Sequence, residues 1–128
     1  MRKVLLASPR GFCAGVERAL KTVDDALKTG PFPVYVLHEI VHNENVVESL
    51  RRRGVIFIDN PAEASDGGTL IFSAHGVSRE VEEQAFRLKV RVIDAACPIV
   101  KSLQRRIEAF EAEGRGIILF GKEGHREV

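Results

Sequence analysis

The sequence has little cysteine, little net charge and no long apolar run. Cys13 and Cys97 are its only cysteines among 128 residues, which excludes a disulfide-dense scaffold. No apolar stretch approaches the ~20 residues that a membrane-spanning helix needs. A net charge of +1 gives no sign of a polyanionic partner such as a nucleic acid. The scarcities therefore predict neither a membrane protein nor a nucleic-acid-binding protein.

The composition is that of a globular domain, with 45% hydrophobic and 29% charged residues. The apolar run after Lys3 ends at Pro9 and is shorter than the ~7–15 residues of a signal-peptide core. We therefore expect a cytoplasmic protein. In that reducing compartment, two distant cysteines favour metal or redox chemistry over a structural disulfide.

Apolar strand patterns alternate with amphipathic helical patterns along the chain. The predicted strands are residues 3–8, 34–37, 55–58, 69–73, 90–93 and 116–120. The predicted helices are residues 16–28, 43 or 45 to 53, 78–88 and 98–113. This alternation predicts an α/β fold, a doubly wound and mainly parallel sheet with helices on both faces. We expect one full domain over residues 1–96 and the opening helix and strand of a second over residues 97–128.

The residues with the most reactive side chains follow predicted strands. Both cysteines and all four histidines do so: Cys13, His38, His42, His75, Cys97 and His125. Ligands of open α/β sheets bind outside the carboxyl ends of the strands. The pattern therefore predicts a binding site at that edge of the sheet.

The two cysteines each lie where a strand is followed by a helix. A helix N-terminus favours a thiolate over a thiol, and thiolates bind metals and iron–sulfur clusters. Each cysteine could also be a small buried hydrophobic residue, as most free cysteines are, and Pro98 after Cys97 suits an ordinary helix start.

Three histidines, His42, His75 and His125, form a set of donors suited to phosphate or diphosphate, although each could also cap a helix. His38 and Glu39 lie nearer the strand end and are interpreted as supporting or structural residues. Glu127 would face the same side as His125 in an extended segment, where it could donate a proton or remain a solvated acid.

Taken together, these segments resemble one family, the 4-hydroxy-3-methylbut-2-enyl diphosphate reductases. The matching segments are PRGFCAGV with Cys13, HEIVHN with His42, IFSAHGVS with His75, DAACP with Cys97 and GHREV with His125 and Glu127. They occur in the family's order through the whole chain.

The resemblance implies an iron–sulfur oxidoreductase that removes the substrate hydroxyl with two electrons and protons, giving isopentenyl and dimethylallyl diphosphate. Cys13 and Cys97 would be ligands of a [4Fe-4S] cluster. His42, His75 and His125 would bind the diphosphate, and Glu127 with His125 would form the catalytic pair that delivers protons. An electron-donor protein would be a partner.

Family members are much longer and supply a third cysteine from a later domain, so the resemblance implies an incomplete and inactive chain. Apolar residues after Cys97 would then promote association into a homo-oligomer. The alternative function is a non-catalytic α/β module that binds a diphosphate ligand, or zinc through the cysteines and nearby histidines.

Overall fold

A computed structural model describes residues 3–124, and within that part of the chain helices and strands alternate. The helices are α1 Ala14–Thr29, α2 Glu44–Arg52, α3 Arg79–Phe86 and α4 Pro98–Ala112. The strands are β1 Val34–Leu37, β2 Val55–Ile58, β3 Thr69–Phe72 and β4 Arg91–Asp94. A single 3-10 turn, Pro61–Glu63, lies between β2 and β3.

Polar side chains determine where two of the helices begin. The Asn43 side chain accepts a hydrogen bond from the Val46 backbone N–H at 3.1 Å, so α2 is capped by Asn43 and not by Asn45. Ser78 accepts from the Val81 N–H at 3.4 Å and caps α3 as predicted. The other two helices, α1 and α4, have cysteines at the capping position, and neither cysteine side chain forms a capping hydrogen bond.

All four strands are parallel, in the order β2-β1-β3-β4. The chain passes from β1 to the edge strand β2 and then returns to β3 on the other side of β1. The connections that leave β1 and β3 therefore run in opposite directions. This is the topological switch point at which open α/β sheets bind ligands. The predicted parallel α/β fold is confirmed.

Alternating strand residues form two hydrophobic clusters, one on each face of the sheet. On one face Val34, Val36 and Ile71 pack with residues of α1 and α2. On the other face Leu37 and Phe72 pack with the β2–β3 connection and α3. Since successive strand side chains point to opposite faces, four short strands are enough to bury both clusters.

Two predicted strands, residues 3–8 and 116–120, are wrong for the described chain. Neither segment forms a strand, and Val4, Leu5, Ile118 and Phe120 are between 79% and 91% exposed. A strand needs a neighbour for its backbone N–H and C=O groups, and no described strand pairs with either segment. An apolar run alone predicts the tendency to form a strand but cannot supply the partner.

Helix α4 lies at the margin of this fold, because none of its residues is buried. Ile99 and Leu103 are 79% and 52% exposed. The division into residues 1–96 and 97–128 stays a prediction, as does self-association through the apolar residues after Cys97.

We expect Ile71→Ala to lower the free energy of unfolding by about 2–5 kcal/mol, because its fully buried side chain would leave a cavity between the sheet and α1. Ile99→Ala is the matched control and should change it by less than about 0.5 kcal/mol, since that side chain is exposed. Urea unfolding followed by circular dichroism measures both. Equal effects in the two variants would contradict the assigned core.

Candidate active site at the carboxyl edge of the sheet

The switch point between β1 and β3 is marked by two stacked histidines. The rings of His42 and His75 lie face to face, with centroids 4.4 Å apart and planes inclined by 29°. His42 follows β1 and His75 follows β3, so the sheet order brings together residues far apart in the sequence. Two imidazoles in contact repel one another when both are protonated, and a nearby anion would offset that repulsion.

Backbone hydrogen bonds continue past the strand ends and connect the loops of the site. The Ala74 N–H donates to the Ile40 carbonyl at 3.3 Å, and the Cys97 N–H donates to the Ala74 carbonyl at 2.9 Å. The loops after β1, β3 and β4 are therefore fixed relative to one another. As a result Cys97 lies beside the loop that contains His75.

Both cysteine sulfurs lie next to the backbone of Gly15. A Cβ atom added to Gly15 would lie 2.8 Å from the Cys97 Sγ and 3.9 Å from the Cys13 Sγ. The first distance is too short for any real side-chain carbon, so glycine is required for this approach. Cys13 and Cys97, which are far apart in the sequence, thus converge over the first turn of α1.

Charged side chains fasten the Cys97 loop to its surroundings. The Arg18 guanidinium donates to the Ala96 carbonyl, and Asp94 Oδ1 accepts from the Ala96 N–H at 2.8 Å. The Lys101 ammonium forms an ion pair with Asp94, which raises the pKa of that lysine against the opposing effect of burial. This pair stabilises the fold at any pH below 10.5, the ordinary pKa of a lysine. The stabilisation is lost as the pH rises through the raised pKa of Lys101.

A cavity of about 620 Å³ opens beside His42, and its wall includes Glu39, Arg51 and Lys122. His42 Nδ1 lies 3.3 Å from Glu39 Oε2. Because a carboxylate only accepts hydrogen bonds, Glu39 would pair with a His42 ring that carries a proton on Nδ1. The cavity wall combines the Arg51 guanidinium and the Lys122 ammonium with the carboxylates of Glu39 and Asp59, so it offers hydrogen-bond donors and acceptors beside His42.

His38 is the first residue after β1 and adopts a left-handed backbone conformation, with φ of 61°. Its Nδ1 lies 3.2 Å from Asp59 Oδ1, and its N–H donates to the Ile58 carbonyl at 2.8 Å. These contacts tie the end of β1 to the end of β2. The supporting role of His38 at the site stays a prediction.

The sequence analysis assigned no definite site role to three residues at this edge, Gly15, Arg18 and Ser73. Arg18 and Gly15 are three residues apart in α1, and that spacing places them on one helix face. Ser73 is fully buried, and its Oγ has no hydrogen-bond partner among the described residues. The helical spacing could have indicated the Gly15–Arg18 face, but only the tertiary structure shows that this face meets Cys97.

The predicted site residues are brought together in part. Cys13, Cys97, His42 and His75 all lie around the carboxyl edge of the sheet. The sequence predicts a strand before Cys13, but residues 3–8 form none in the structure. His125 and Glu127 lie outside the described residues.

Residues 3–124 contain neither a cluster of three metal-binding side chains nor a membrane-spanning helix. In this range no group of three or more His, Cys, Asp or Glu side chains could hold a metal ion. No helix of the described chain has the length and apolar character needed to cross a membrane.

An α/β protein with two convergent thiols beside paired imidazoles is the class that this geometry defines. The family model described as "LytB protein" matches residues 4–128, and the chain belongs to this family. It is 50% identical over 126 residues to the 4-hydroxy-3-methylbut-2-enyl diphosphate reductase of Desulfotalea psychrophila, covering 98% of this chain and 40% of that protein. It is 50% identical over 127 residues to the Nocardia farcinica reductase of the same name, covering 99% and 38%.

Two solved structures are similar to the fold. The reductase from Plasmodium falciparum superposes with a TM-score of 0.88 at 43% identity, covering 94% of this chain and 38% of that one. A second, titled as the terminal enzyme of the non-mevalonate pathway, gives 0.81 at 36% identity, covering 97% and 44%. The chain thus spans less than half the length of these relatives, and the fold agrees over nearly all of it.

We expect Gly15→Ala to destabilise the protein by about 1–3 kcal/mol, because the added methyl group overlaps the Cys97 sulfur. A loss of stability would be informative, because alanine has a higher helix propensity than glycine and would otherwise stabilise α1. Gly116→Ala is the control, because its Cβ would meet nothing within 4 Å. An unchanged or raised unfolding midpoint in Gly15→Ala would refute the close approach of the two cysteines.

Proposed function

We propose that this chain forms part of the active site of an iron–sulfur reductase acting on 4-hydroxy-3-methylbut-2-enyl diphosphate. The reaction replaces the substrate hydroxyl by hydrogen with two electrons and two protons, giving isopentenyl or dimethylallyl diphosphate and water. One observation supports the proposal above all others: the convergence of Cys13 and Cys97 over Gly15, beside the loop of His75.

The residues present suit a [4Fe-4S] cluster. Cys13 and Cys97 each lie at the N-cap of a helix, and cysteine thiolates are the ligands that hold iron–sulfur clusters. The missing Cβ of Gly15 leaves room for the Cys97 sulfur against the backbone, near the Cys13 sulfur. When bound, such a cluster supplies electrons and a Lewis-acidic iron.

The protein side chains would bind the substrate and supply protons. His42 and His75, stacked at the switch point, would donate hydrogen bonds to the diphosphate oxygens, and the anion would offset repulsion between the rings. By resemblance His125 would join them, and Glu127 would deliver protons to the reacting end. Two thiols do not complete a cluster, so a further ligand and an electron-donor protein belong to the proposal.

The zinc-binding alternative has less support. Structural zinc sites are closed by four ligands, whereas the described residues offer no group of three. The stacked histidines and the two sulfurs occupy neighbouring loops but do not form one coordination sphere within residues 3–124.

Anaerobic reconstitution with iron and sulfide tests the cluster. We expect a brown protein with broad visible absorption, and near-complete loss of bound iron in Cys13→Ser and Cys97→Ser, because serine is a poor ligand for cluster iron. The urea midpoint serves as the control and should change little. A colourless protein that retains stoichiometric zinc would overturn the proposal in favour of the binding module.

Titration with inorganic diphosphate, followed by calorimetry, tests the histidines. We expect His42→Gln to weaken binding by at least about tenfold, the effect of losing one hydrogen bond to a charged ligand. The control is Arg52→Gln, which removes a charge from the exposed surface of α2, where Arg52 pairs only loosely with Glu48 at 3.7 Å. Equal losses in both variants would mean that net charge, and not this site, attracts the anion.

A further inference from the structure

The segment between β4 and α4 is fixed from two directions, although the sheet supplies only one of them. On the sheet side, the Ala95 N–H donates to the Phe72 carbonyl at 3.2 Å and the Cys97 N–H donates to the Ala74 carbonyl at 2.9 Å. These bonds fix the position of the segment relative to β3 and the loop that follows it. They do not set its distance from α1, the helix that begins beside Cys13.

The second direction comes from α1 itself. The Arg18 guanidinium reaches across 78 residues of sequence to donate to the Ala96 carbonyl, the group directly before Cys97. Ala96 is only 2% exposed, so its carbonyl needs a partner within the protein. Gly15, one turn earlier on the same helix, lies against the Cys97 sulfur.

We infer that Arg18 is a positioning residue that holds Cys97 beside Cys13. Helix α1, whose N-cap is Cys13, thus contacts the Cys97 segment twice. Gly15 lies against the Cys97 sulfur, and Arg18 donates a hydrogen bond to the carbonyl before it, a contact we call the clamp. The role of the clamp in holding a cluster rests on the proposed function, but the positioning of the two thiols does not.

Thiol bridging in the reduced, metal-free chain tests the inference directly. Dibromobimane alkylates two thiols with loss of two bromide ions and becomes fluorescent when it joins neighbouring ones. We expect Arg18→Met to lower the rate of the bridged product by about fivefold, the effect of losing one partly buried hydrogen bond. Arg18→Lys, which retains a charged donor, should recover much of that rate.

Lys21→Met is the matched control. Lys21 lies one turn further along α1 and forms an ion pair with Asp25 at 2.8 Å. Its substitution should leave bridging unchanged. Bridging in Arg18→Met at the rate of the parent chain would overturn the inference, as would a loss that lysine does not recover or that only follows a lowered unfolding midpoint.

Iron retention after reconstitution separates this inference from the proposed function. If the parent chain binds a cluster, Arg18→Met should retain iron about tenfold less well, as is typical when a residue that orients a metal ligand is removed. If the parent chain binds no iron, the proposed function fails, and the bridging rates still decide the role of Arg18.

Discussion

The candidate site depends on backbone hydrogen bonds between the loops that follow β1, β3 and β4. These bonds extend the pairing of the parallel strands by several residues beyond their ends, from Ile40 to Ala74 and from Ala74 to Cys97. They fix the stacked histidines and one cysteine relative to the sheet. Because backbone groups form them, the arrangement depends on the register of the strands more than on the identity of the loop side chains.

The second support comes from α1, which packs on the sheet through Ala19, Val23 and Ala26. This apolar contact fixes the helix, and the helix in turn presents Gly15 and Arg18 to the Cys97 segment. The site is thus held between a sheet edge and a helix N-terminus. Burial of small side chains far from the cysteines determines where the thiols meet, which links the stability of the core to the geometry of the site.

Membership of the LytB family agrees with this construction. The related reductases have much longer chains, yet the fold described by residues 3–124 superposes on a solved structure with a TM-score of 0.88. The paired thiols and stacked imidazoles lie within that shared part of the fold. In this chain, the backbone hydrogen bonds described above connect the loops that carry these groups at the ends of short strands.

The sequence alone determined the alternation of strands and helices and the starts of α3 and α4. Those features follow from local hydrophobic period, from capping by Ser78 and from Pro98 at a helix start, all of which are short-range effects. Only the tertiary structure decided that residues 3–8 and 116–120 form no strand, because strand formation requires a partner that no local pattern specifies. It also decided that Gly15 and Arg18 meet Cys97, since contacts across 78 residues depend on how α1 packs against the sheet.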